Sequence, residues 1–369
     1  MSEQGFIAKS SRPLLWRPHE ATPRQRIAWI DAAKGIGIVL VVIGHVEAGL
    51  ASAHMMEGPA WTWFYYGLYT FHMPLFFVLA GLHVPRELAR GTSRFLRDKL
   101  VRLAYPYVLW SLVQGVLMME LSSSTNSTVG LGDLLGVGWR PMWQFWFLYA
   151  LLLCHLAVAV AGLRRPVLVS LAVASMLLSL YLPGGIATQT LHSLTFFVAG
   201  ILLSPRWLAR PPGPSGTVAA AMYAVLAMIL LPMTIYVAGR EVGGQSYMAL
   251  TGLPASASGL WDLPPAAIGI AAVVLIARIL KGPVLRGFVV LGNVSMTIFV
   301  LHIIAASGMR IVMTKLGVPQ DPLLYLIVCT TVGIAVPTFT HFTLERLHLL
   351  SALGLAAMRR RQPVAPATA

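Results

Sequence analysis

The chain has 369 residues, of which 57% are hydrophobic and 11% charged, and its mean hydropathy is +0.74. A soluble domain carries about 25% charged residues, so that class is excluded. Cys154 and Cys329 both sit in apolar runs, which excludes a disulfide framework and a thiolate metal site. The formal charge of +14 points to nucleic acid only if its distribution fails to follow membrane topology.

In chain order, the first 28 residues are polar and basic, with no apolar core region. They are expected to be a cytoplasmic tail (1–28), not a cleavable signal peptide. A membrane domain follows over 29–348, and a second cytoplasmic tail over 349–369, whose end PVAPATA is expected to be disordered. Apolar segments lie near 33–52, 62–84, 103–121, 143–163, 166–183, 187–204, 216–238, 264–280, 287–307 and 322–345. Each approaches the ~20 residues a spanning helix requires. The fifth and sixth are short and meet at Pro183-Gly184-Gly185; other breaks fall at Arg210-Pro211-Pro212-Gly213-Pro214 and Gly282-Pro283. The fold class read from this pattern is all-α and polytopic, with about ten transmembrane helices.

Positive charge sets the orientation. With the N-terminus inside, 23 of the 27 Lys and Arg fall on inner segments, and only Arg140, Arg240, Arg310 and Lys315 fall outside. The positive-inside rule places both termini in the cytoplasm. The same asymmetry explains the basic charge without nucleic acid. The outer segment 122–142 is rich in Ser, Thr and Gly and leads into Trp139, Trp143 and Trp146, while 239–262 ends in Trp261-Asp262. Aromatic residues there read first as an interfacial belt and second as sugar-stacking platforms.

The stretch WIDAAKGIGIVLVVIGHV, Trp29 to Val46, organises the rest. It starts with Asp31 and Lys34 and closes on Gly44-His45, so ionisable groups sit at both ends of an apolar run. Such groups at membrane depth are costly and mark functional sites by default. At 1.5 Å per residue, Lys34 and His45 lie roughly 16 Å apart along a helix, one near the inner face and one past the midplane. His72, in FHMPLFFVLAG ahead of Pro74, and His302 on the ninth segment join His45 as the candidates for chemistry. A lone histidine in a helix bundle ordinarily packs or bonds between helices, and His54, His83, His155, His192 and His341 are read that way. Phe71, Met73, Phe76 and Phe77 read as helix packing. Glu47 is two residues past His45 and faces elsewhere. The basic run from Arg86 to Arg102, six positive charges in 17 residues, is either an ordinary inner loop or a seat for an anionic group such as a nucleotide phosphate. No phosphate-binding loop, nucleophile elbow or metal-ligand motif is present in the sequence. From spacing alone, a proton-relaying transporter and an enzyme with histidine bases are equally compatible.

Five stretches resemble the membrane-bound acyltransferase family 3, which includes polysaccharide and lipopolysaccharide O-acetylases and fucose-4-O-acetylase-like proteins. They are IDAAKGIGIVLVVIGH (30–45), FHMPLFFVLAGL (71–82), KLVRLAYPYVLWS (99–111), QFWFLYALLL (144–153) and LGNVSMTIFVLH (291–302). The family's first helix carries an arginine, ten residues, then histidine; here Lys34 stands in for the arginine and His45 matches. Its R-x-x-R falls on Lys99-x-x-Arg102, with Arg94-x-x-Arg97 a second literal match. Lysine keeps the charge and loses the bidentate fork.

The resemblance implies transfer of an acyl group, usually acetyl, from cytoplasmic acyl-CoA to a hydroxyl of an extracytoplasmic or lipid-linked sugar, in the bacterial inner membrane. His45 is expected as general base, with Lys34, His72 and His302 lining a channel through the membrane and Lys99, Arg102, Arg94 and Arg97 holding the CoA phosphates. A covalent acyl-histidine relay is the alternative. Acetyl-CoA is expected as a donor substrate with no permanently bound cofactor and no metal; glycan, acyl donor and lipid bilayer are the expected partners, and nucleic acid is not. The rivals are a secondary transporter and a non-enzymatic assembly partner on a degenerate scaffold.

Overall fold

The computed structural model describes residues 27–120, 130–182, 184–209, 216–242 and 263–355. Readings that fall on 1–26, on the first part of the 122–142 loop, on the outer segment beyond 242, on 210–215 and on the tail after 355 lie outside these residues, as does Pro183. Among the described residues every regular element is a helix.

We number the helices α1 (Ala28–Ser52), α2 (Pro59–Gly81), α3 (Val84–Leu88), α4 (Thr92–Lys99), α5 (Tyr105–Glu120), α6 (Leu131–Leu135), α7 (Trp146–Ala161), α8 (Arg165–Tyr181), α9 (Ile186–Ala209), α10 (Thr217–Val242), α11 (Leu263–Ile279), α12 (Gly282–Lys315) and α13 (Pro322–Arg346). Among the described residues, eight helical segments are long and apolar enough to cross a membrane, and α8 and α11 are shorter apolar helices. Together they account for the ten expected spans. The sixth span is not short: α9 runs for 24 residues, because the helix continues past the hydropathic window into Pro205 and beyond. The third begins early for a similar reason. Charges at Arg94, Arg97 and Lys99 close the apolar window, yet these residues are good helix formers, and α4 carries on through a π-helical turn at Leu100–Ala104 into α5.

Helix starts follow local chemistry. Proline occupies the first turn of α2, α8, α12 and α13, where its missing N–H goes unused. Asp321 caps α13, accepting a hydrogen bond from the Leu324 amide at 2.7 Å. α7 ends at Gly162, whose φ of 78° is the left-handed stop that glycine takes without strain. Α12, at 34 residues, is about 51 Å long, well beyond the ~30 Å hydrocarbon layer.

Helix α1 is the axis of the bundle. It packs along α12 and touches α2, α11 and α13, while α2 also carries α9, α10 and α11. In lipid the apolar contact between helices gains nothing over contact with acyl chains, so association rests on close packing. Glycine supplies it. A methyl on Gly35 would overlap the Phe288 carbonyl, and one on Gly292 the Asp31 carbonyl, so α1 and α12 meet backbone to backbone. Gly81 and Gly200 do the same for α2 and α9. Met222, Met228 and Tyr236 of α10 are exposed, as a peripheral helix facing lipid requires.

The segment after α13 returns to the bundle. Leu350 and Leu355 are buried, Tyr105 donates its hydroxyl to the Ala352 carbonyl at 2.5 Å, and the Trp110 indole donates to the Leu353 carbonyl at 2.9 Å. The start of the expected tail at 349 is therefore bound to α5.

Candidate active site

Two polar regions sit on the α1 axis, one at each end of its apolar run. The outer one gathers the three candidate histidines. The rings of His45 and His302 lie 5.1 Å apart, centroid to centroid. Tyr69 packs edge-on to both His72, at 4.8 Å, and His45, at 6.2 Å, and Tyr65 stacks on Tyr69 at 4.1 Å. Tyr65, Tyr69 and His72 share one face of α2 because they are four and three residues apart.

The histidines are not equivalent. His72 and His302 are 1% and 0% exposed. Each donates Nδ1–H to a backbone carbonyl, His72 to Leu68 at 2.7 Å and His302 to Phe299 at 2.8 Å. A carbonyl only accepts, so the tautomer is fixed and Nε2 is left as a lone pair; His302 Nε2 is buried without a partner. His45, by contrast, keeps accessible surface. It is the one histidine of the three that is not fully buried. Glu47, assigned to another face, is 1% exposed and its carboxylate oxygens have no hydrogen-bond partner.

The inner region is a cavity of about 300 Å³. Its mouth is polar, formed by Lys34, His83, Glu87, Lys99, Arg102 and His155. Its deep end is apolar, formed by Val41, Met73, Phe147, Leu148 and Phe299, with Phe76 and Leu151 between. Lys99 pairs with Glu87 at 2.5 Å, and Lys34 with Asp31 at 3.5 Å. The π-helical turn at Leu100–Ala104 lies where Lys99 and Arg102 enter the wall; such insertions are frequent at functional sites.

The two regions nearly meet. Val41 is one turn below His45 on α1, Phe299 one turn below His302 on α12, and Met73 adjoins His72 on α2. The cavity thus rises from the basic end and stops about one helical turn, roughly 5 Å, short of the histidine cluster.

The expected site residues divide accordingly. Lys34, Lys99 and Arg102 line the cavity, and His45, His72 and His302 form the cluster beyond its end, without lining it. Arg94 and Arg97 are exposed and do not line the cavity. Met73 and Phe76, read as packing, are cavity wall. Sequence reasoning read His83 and His155 as packing residues and did not single out Glu87, all three on the cavity lining, nor Tyr65 and Tyr69 beside the cluster. Only the Tyr65-Tyr69-His72 spacing carried a signal; His155 is brought in by the tertiary approach of α7 to α4. Among the described residues no group of three or more His, Cys, Asp or Glu is placed to hold a metal ion.

The chain is similar to known proteins. The nodulation protein NolL of Sinorhizobium fredii is 28% identical over 180 residues, covering 47% of this chain and 48% of that protein. NolL of Mesorhizobium japonicum is 25% identical over 138 residues, covering 35% of this chain and 34% of that protein. The chain thus spans about half the length, or less, of the curated relatives it matches. No solved structure matches. The family model described as an acyltransferase domain, that of acyltransferase family 3, matches residues 27–342, a span that contains both the cavity and the histidine cluster, and the chain belongs to that family of membrane acyltransferases.

Proposed function

We propose that the protein is an O-acyltransferase that takes an acyl group, acetyl in the first instance, from acyl-CoA on the basic side of the membrane and passes it to a hydroxyl of a cell-envelope or exported glycan on the other. The observation that carries this reading is the cavity that opens among Lys34, Lys99 and Arg102 and ends one turn below His45, His72 and His302. A transporter with a proton relay requires no dead-end cavity with a cationic mouth.

The chemistry follows from the two ends. At the mouth, Lys99 and Arg102 meet the phosphates of the donor, and the thioester arm extends into the apolar depth. Moving the charged nucleotide into the bilayer is unfavourable; threading a neutral arm through an apolar shaft is not. His45 takes the proton of the acceptor hydroxyl, the oxygen attacks the thioester carbonyl, the C–S bond breaks, and the proton goes on to the departing thiolate. A base whose ordinary pKa lies near 6.5 suits this at neutral pH. His302, against the His45 ring and with Nδ1–H anchored, positions it. Phe299, Val41 and Met73 separate the cavity from the cluster, so the reaction requires these side chains to swing aside.

The test is acyl incorporation into envelope glycans of cells expressing wild type or His45→Ala, read as a mass gain on the glycan, alongside thiol release from acetyl-CoA by the purified protein. A gain that vanishes with His45→Ala at equal expression supports the reading. Equal incorporation by the variant, or the absence of thiol release with any glycan fraction, overturns it.

A further inference from the structure

The strongest unassigned group is His155. It lines the cavity at the mouth, it is 2% exposed, and it is gripped between Phe95 and Phe197, with ring centroids at 5.7 and 4.7 Å. Its Nδ1 lies 2.7 Å from the Leu151 carbonyl. That carbonyl only accepts, so Nδ1 carries the proton and Nε2 presents a lone pair. Nε2 is buried and unpartnered. Lys99 does not fill the gap: its ammonium pairs with Glu87 at 2.5 Å and makes no hydrogen bond to this nitrogen. A buried acceptor left unpaired is unfavourable, and a cavity-wall residue held in a single tautomer is positioned to receive a donor.

The chemistry of that donor is restricted. Phosphate oxygens and a thioester carbonyl accept hydrogen bonds and cannot pair with this nitrogen. What fits is an N–H or O–H carried by a slender ligand passing from the cationic mouth toward the apolar end. We infer that His155 is a binding residue for the donor substrate, its Nε2 accepting a hydrogen bond from a secondary-amide N–H of the pantetheine arm of acyl-CoA. This rests on the acyl-CoA reading above and adds to it a residue, an atom and a ligand group. Lys99 and Arg102 then hold the nucleotide end while His155 reads the arm, which sets apart CoA thioesters from other anionic metabolites reaching the same mouth.

The experiment uses the purified full chain in lipid nanodiscs and measures affinity for CoA, for adenosine 3′,5′-bisphosphate, which has the nucleotide end and no arm, and for two CoA analogues in which one or the other amide N–H is replaced by an ester oxygen. Wild type is expected to lose about tenfold in affinity for one ester analogue. His155→Leu is expected to lose about tenfold for CoA, nothing for the bisphosphate, and to no longer distinguish CoA from that analogue; His155→Gln, which restores an acceptor, recovers part of the difference. The analogue series on wild type decides the matter even if the leucine variant does not fold. Equal affinity of wild type for CoA and both analogues overturns the assignment, as does a loss in His155→Leu that extends equally to the bisphosphate. If wild type binds CoA and the bisphosphate but the analogues are indifferent, the assignment alone falls. If it binds neither, the acyl-CoA reading falls and takes the assignment with it.

Discussion

The outer histidine cluster and the inner cavity solve opposite problems with the same helices. In the cluster, polar side chains are held by backbone carbonyls one turn away, His72 on Leu68 and His302 on Phe299. Nothing there is ionically paired, and one ring, His45, is left accessible. At the cavity mouth the cations are met by carboxylates, Lys99 by Glu87 and Lys34 by Asp31. The first arrangement fixes tautomers without placing charge in the bilayer; the second offsets each of these lysines with a carboxylate. Under the proposed function this becomes a division of labour along α1: recognition of an anionic molecule at one end, proton transfer at the other.

The sharpest way to break this division is His45→Ala. Acyl transfer is expected to fall by about 10²–10⁴-fold, the ordinary contribution of a positioned base, while CoA affinity stays within twofold, since His45 does not line the cavity. Parallel thiol-release assays and CoA titrations check this. A variant that loses transfer and donor binding together would merge the two regions into one.

Next in size is the Lys99–Glu87 pair. Lys99→Met leaves a half-buried carboxylate without its cation and removes a phosphate contact, so both thermal stability and CoA affinity should drop, the latter by about tenfold. In the double variant Lys99→Met/Glu87→Met the stability should return, because a buried pair replaced by apolar residues is often neutral. The affinity should not. A thermal melt beside a binding isotherm separates the two effects, and recovery of both would assign the pair a purely structural role.

How far these regions could be read from sequence follows the range of the interactions that build them. The ten spans are local hydropathy, so they were legible; their sidedness is an expectation drawn from local charge. His45, His72 and His302 stood out because a histidine in an apolar run is locally anomalous. Their meeting was not legible, since α12 is brought to α1 by glycine contacts at Gly35 and Gly292, some 250 residues apart in sequence. His155 was read as packing and Glu87 was not singled out for the same reason: each looks ordinary among its neighbours in the chain, and only α7, α3 and α4 together make them cavity wall. Arg94 and Lys99 show the converse. Both belong to R-x-x-R-like pairs, yet helical phase turns Lys99 inward and Arg94 outward.

A smaller effect concerns the wall between the regions. Phe299 lines the deep end of the cavity and sits one turn from His302. Phe299→Ala should lengthen the apolar shaft and raise activity with butyryl-CoA relative to acetyl-CoA by several-fold, with the absolute acetyl rate lowered by the looser fit. Rates with a donor series from two to six carbons check it. An unchanged chain-length profile would place the acyl group elsewhere than the cavity end.

The smallest expected effect belongs to Arg94 and Arg97. Both are exposed, unlike their buried neighbour Phe95, and neither lines the cavity. Their influence on an incoming anion is long-range and passes through water, where charges separated by more than about 8–10 Å are screened at physiological salt. The double variant Arg94→Ala/Arg97→Ala should therefore lower the association rate of CoA by no more than about threefold at low salt, leave dissociation unchanged, and become indistinguishable from wild type at 0.5 M salt. Lys99 and Arg102, which line the mouth, should instead act on dissociation at any ionic strength. Stopped-flow binding at two salt concentrations tells these apart. A salt-independent loss in the Arg94/Arg97 variant would mean that the phosphate seat lies on the outer face of α4, and that the basic pair nearest in letter to the family pattern, and not the pair on the cavity wall, holds the donor.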